Sequence, residues 1–71
     1  MNNSNQRGDA LMAALAIAET NYESAVQEAK FAQTAGDEFA LACARQAAAE
    51  AYEDVLCVAH DIAEWADAWK A

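Results

Sequence analysis

The amino-acid sequence predicts an all-α protein, a small antiparallel hairpin or bundle built on two long helices. Three observations predict it. The chain of 71 residues holds 21 alanines, two glycines and no proline, and alanine is the strongest intrinsic helix former because fixing it costs no side-chain entropy. Apolar residues recur at steps of three and four through both halves, the spacing of one helix face. One clear punctuation, "TAGDEF" at residues 34–39, divides the chain near its middle.

At this length the chain can form only one small domain with a thin core. Leu, Ile, Val and Phe number 11, and the net charge is -8, a composition on the disorder side of the usual boundary. The alanine content and the helical period outweigh it. An alanine-rich helix pair buries little apolar area per residue, so self-association or docking onto a larger partner would relieve the shortage.

Residues 1–8, "MNNSNQRG", are polar and aperiodic, and are expected as a disordered tail ahead of a single helical domain over 9–71. Asp9 is expected to cap a first helix over about 9–35, because its short acceptor side chain can bond the free N–H groups of the first turn. Leu11, Leu15, Ala18, Tyr22, Ala25, Ala29 and Ala32 mark its packing face. The "TNYE" stretch at Thr20–Glu23 fits a capping box and leaves open a break near Thr20-Asn21 that would make three helices.

Gly36 can take the left-handed conformation that ends a helix, and Asp37 can cap the next one, with Glu38 favourable in its first turn. The connection is short, so the two helices are antiparallel neighbours. The second is expected over about 38–69. Leu41, Ala48, Tyr52, Val55, Ala59, Ile62, Ala66 and Trp69 lie along one side of it, and Arg45 falls within the same arc.

Residues 50–71 read "EAYEDVLCVAHDIAEWADAWKA", a helix with six carboxylates and one lysine, at its end. At 100° per residue, Glu50, Glu53, Asp54, Asp61 and Glu64 fall in one sector about 100° wide, with Asp67 at its edge. Glu50 stands within one turn of Glu53 and Asp54, Asp61 of Glu64, and Glu64 of Asp67. Each such like-charge pair costs a few tenths of a kcal/mol. The late acids also sit near the negative end of the helix dipole, where cations are preferred. Local stability therefore does not explain the arrangement. Either the strip solubilises the protein or it meets a basic partner.

Twelve acidic residues against four basic ones disfavour direct binding to nucleic acid or an anionic membrane, since a phosphate backbone requires cations. The natural partner is a positively charged protein surface. Steps of three, four and seven residues space carboxylates about 4.5–10.5 Å apart along a helix, a range that brackets the phosphate repeat of one nucleic-acid strand. Trp65, between the packing side and the acidic sector, is either the end of the core or an interface anchor.

Other chemistry is sparse. Cys57, His60, Asp61 and Glu64 share a sector, but one histidine without a nearby second cysteine falls short of a closed metal site. Neither a metal nor a cofactor is expected. A Cys57/His60 nucleophile would project from a bare helix surface without an oxyanion site, so no enzyme is expected. Cys43 and Cys57, 14 residues apart on one helix, lie about 21 Å apart and cannot pair, which fits reduced thiols in a cytoplasmic protein. The apolar run "ALMAALAIA" at 10–18 resembles a signal-peptide core only loosely and is too short to span a membrane. It is expected as a buried helix segment.

A very small, acidic, alanine-rich, all-helical chain without catalytic residues resembles the phage-encoded anti-CRISPR proteins of the DNA-mimic type. These share no diagnostic motif, so no residue is carried over from them. The resemblance implies a stoichiometric inhibitor that occupies a basic DNA-entry surface of a type I CRISPR surveillance complex in the host bacterial cell. The residues expected to bind such a partner come from the face itself: Glu50, Glu53, Asp54, Asp61, Glu64, Asp67 and Trp65. The alternative is a homo-oligomeric helical structural or adaptor module, at least a homodimer, with the acidic face turned outward for solubility.

Overall fold

The computed structural model describes the backbone of residues 3–70 and the side chains of residues 6–68. Two helices make up the fold: α1, Asn3–Ala35, and α2, Glu38–Lys70, each of 33 residues. They pack against one another along their length. The result is a rod of 53 × 18 × 12 Å. Its radius of gyration is 16.2 Å, against about 11 Å for a compact domain of this length. α1 runs unbroken through Thr20-Asn21, so the fold is a two-helix hairpin.

The turn is made by two residues. Gly36 sits at φ 73°, its N–H donating to Gln33 O at 3.2 Å while the Asp37 N–H donates to Ala32 O at 3.0 Å. Those two bonds satisfy carbonyls that the end of a helix otherwise leaves free. Asp37 then begins α2: its carbonyl accepts the Leu41 N–H at 2.9 Å, and its Oδ1 accepts the Ala40 N–H at 3.0 Å. One short stretch both stops α1 and caps α2.

α1 starts earlier than the sequence suggests. Residues 3–8, expected in a polar tail, are helical, and Asp9 lies inside the helix where it caps nothing; residues 1 and 2 lie outside the described structure. The reason is tertiary. Gly8 is buried, and a Cβ there would stand 2.6 Å from Cζ2 of Trp65. Having no side chain, Gly8 lets the indole lie against the helix backbone, and that contact carries α1 past the residue where local capping would begin it.

The packing seam of α2 is also rotated from the expected one. Its inward residues are Leu41, Ala44, Ala48, Ala51, Val55, Val58, Ile62 and Trp65, spaced three and four apart throughout. Tyr52 and Ala59, expected in the seam, are exposed, as is Arg45; the Trp69 side chain falls outside the described set. On α1 the expected face holds: Leu11, Leu15 and Ala29 are half-buried and Ala18, Ala25 and Ala32 buried, with Tyr22 at the rim. The five buried hydrophobic side chains among the described residues are all alanines, Ala18, Ala25, Ala32, Ala44 and Ala51. Alanine at every seventh position lets two backbones approach closely, so α2 turns its alanines inward and pushes Tyr52 to the edge. There Tyr52 meets Tyr22, ring centroids 5.8 Å apart. The run at 10–18 is likewise buried on one side only, with Met12 and Ile17 exposed.

Candidate acidic docking face

All six carboxylates singled out on α2, Glu50, Glu53, Asp54, Asp61, Glu64 and Asp67, are exposed. The helix places them, since no loop or second element is needed to hold a sector defined by 100° steps. From Glu50 to Asp67 the strip is about 25 Å long. Relative to the observed seam, Glu53 and Asp67 point straight outward. Asp54 and Asp61 sit on the flank, where Asp54 joins Cys57, Val58, Ala14, Ile17, Ala18 and Asn21 in a shallow groove between the helices.

Little neutralises the strip from within. Glu64 Oε1 lies 3.6 Å from His60 Nε2, an ion pair only when the imidazole is protonated, and Glu50 Oε2 accepts the Gln46 Nε2–H at 3.5 Å. Arg45 shares a shallow depression with Glu50 and Glu53. It forms no ion pair with either among the described residues.

Trp65 stands apart from this set. It is half-buried, with its indole lying against Gly8 near the open end of the hairpin. Cys43 and Cys57 are both free and exposed. Among the described residues no group of three His, Cys, Asp or Glu side chains converges to hold a metal ion, and no helix is long and apolar enough to cross a membrane.

The sequence reading missed Gly8, Ala44, Ala51 and Val58 as packing residues. The signal was present in the alanines at 18, 25 and 32 and at 44 and 51, a strict seven-residue period on each helix. Against protein-family models, curated proteins and solved structures, the chain has no match.

Proposed function

We propose that the protein is a non-enzymatic acidic binding protein whose α2 strip docks on a basic, nucleic-acid-binding protein surface in place of a nucleic-acid strand. One observation supports this above the rest. Six exposed carboxylates share one side of a helix, from its outer face to its flank, and no lysine or arginine among the described residues pairs with them. A groove lined with Lys and Arg would pair with such a row by ionic contacts. The specific form of the proposal is phage anti-CRISPR inhibition in the bacterial cytoplasm, with the strip occupying the DNA-entry surface of a type I surveillance complex.

The test uses a purified type I surveillance complex and its target DNA. Added in stoichiometric amounts, the protein is expected to block DNA binding, with an apparent affinity that falls steeply as salt rises. The quadruple variant Glu50→Gln, Asp54→Asn, Asp61→Asn, Glu64→Gln is expected to lose inhibition while keeping its helical content. Inhibition that survives those four changes sinks the strip as the contact surface. Undisturbed DNA binding in the presence of the unaltered protein rules out the DNA-entry surface of that complex as the target.

A further inference from the structure

α2 carries a second apolar stripe that α1 leaves largely uncovered, touching it at Tyr52 through Tyr22. Ala42, Ala49, Tyr52, Leu56, Ala59, Ala63 and Ala66 continue at steps of three and four, interrupted by Arg45 alone. All but Ala66 are exposed, with Tyr52 and Leu56 each 51% accessible. At 100° per residue the centre of this stripe lies about 100° around the helix from the seam that meets α1. A helix in a four-helix bundle makes two neighbour contacts at about that angle.

We infer that a second copy of this chain covers the stripe, joining two hairpins through an antiparallel α2–α2 contact. The area argues for it. A compact 7.6 kDa protein is expected to expose about 4,300 Å², whereas this hairpin exposes 5384 Å². The excess of about 1,100 Å² is large enough to supply the about 800 Å² that each partner of a stable complex buries. The direction of α2's apolar residues agrees. Taken together, Val55 and Ile62 of the seam and Tyr52, Ala59 and Ala66 of the second stripe have a mean direction between the two, which is the interior of a bundle of four helices and not of a bundle of two.

Symmetry and charge fit the same arrangement. A two-fold axis passing between Tyr52 and Leu56 sets each Tyr52 against Leu56 of the other copy, the self-complementary form of a closed dimer. Alanines on either side let the backbones approach. The acidic sector of α2 is centred opposite the bundle interior, so pairing leaves both strips facing outward. On α1 the corresponding positions include Glu19, Glu23 and Lys30, which makes α2 the contact helix.

The inference does not depend on the acidic strip, and its test needs no partner protein. Mass by light scattering is expected at twice 7.6 kDa for the intact chain, and at the single-chain mass for Leu56→Glu and for Ala59→Glu. Both sites are exposed in the lone hairpin, so circular dichroism is expected to show the helices retained. Should either variant lose its helices, cross-linking decides. In a Cys43→Ala, Cys57→Ala background, the Tyr52→Cys, Leu56→Cys chain is expected to oxidise to a covalent dimer, whereas a Phe31→Cys control stays monomeric. A single-chain mass for the intact protein at every concentration overturns the inference. So does a dimer that neither Leu56→Glu nor Ala59→Glu weakens, or a failure of the paired cysteines to link.

Discussion

The two ends of the hairpin pack by different means. Near the turn, Ala25, Ala32 and Ala44 are buried to exposures of 7% or less, excluding water almost completely with very little side chain. Near the open end, Leu11, Leu15, Val55, Val58, Ile62 and Trp65 bring much more apolar surface, yet all remain half-buried. Two helices cannot enclose a leucine as they enclose a methyl group. The turn end is thus tight and thin, and the open end bulky and leaky, with the Tyr22–Tyr52 contact between them. Helix spacing teaches the lesson here: close approach holds near the turn because, Leu41 apart, the facing residues are mostly alanines, and at the other end because a large indole is matched with a glycine.

The largest effect should come from upsetting the tight end. Ala25→Leu forces bulk between closely approached backbones and is expected to lose about 3 kcal/mol in urea unfolding. Leu15→Ala at the leaky end should lose less, about 1–2 kcal/mol, because the leucine is only half-buried and its site can relax. The reverse order would break the comparison.

Gly8→Val tests the match at the open end. With even a Cβ falling 2.6 Å from the indole, the variant should lose about 2 kcal/mol from overpacking. Adding Trp65→Leu should return part of that loss in a double-mutant cycle. Additive losses would show that Gly8 and Trp65 do not share a contact.

The turn itself can be divided. Nothing lies within 4 Å of a Cβ at Gly36, so Gly36→Ala carries only the cost of a left-handed backbone, about 1–2 kcal/mol. Asp37→Ala removes the bond to the Ala40 N–H and should cost about 1 kcal/mol. Thermal melts of the two variants separate backbone strain from capping. The smallest effect has the opposite sign: Glu53→Gln relieves like charge against Glu50 and should raise stability by a few tenths of a kcal/mol. A fall in melting temperature would mean that the strip supports the fold.

The difference between the ends also explains which parts of the structure could be read in advance. Gly36 and Asp37 announce the turn because their conformation and capping bond are local. The acidic strip was equally legible. Residues on one helix keep their relative angles whatever packs against them, so Glu50, Glu53, Asp54, Asp61, Glu64 and Asp67 share a side by arithmetic alone.

Three features depended on the partner helix. α1 extends back to Asn3 because Trp65, 57 residues away in sequence, rests on Gly8. Tyr52 and Ala59 turn outward because α1 presents alanines that select Ala44 and Ala51 as the closest-fitting face. Trp65 lies half-buried along the seam for the same reason. The sequence by itself determined a helical chain, its turn at Gly36 and Asp37 and an acidic side, all set by contacts within a few residues or by the helical repeat, and left open the break near Thr20-Asn21 that the structure closes. Only the tertiary structure decided which part of α2's wide apolar arc meets α1, because that choice depends on how closely two particular backbones can approach.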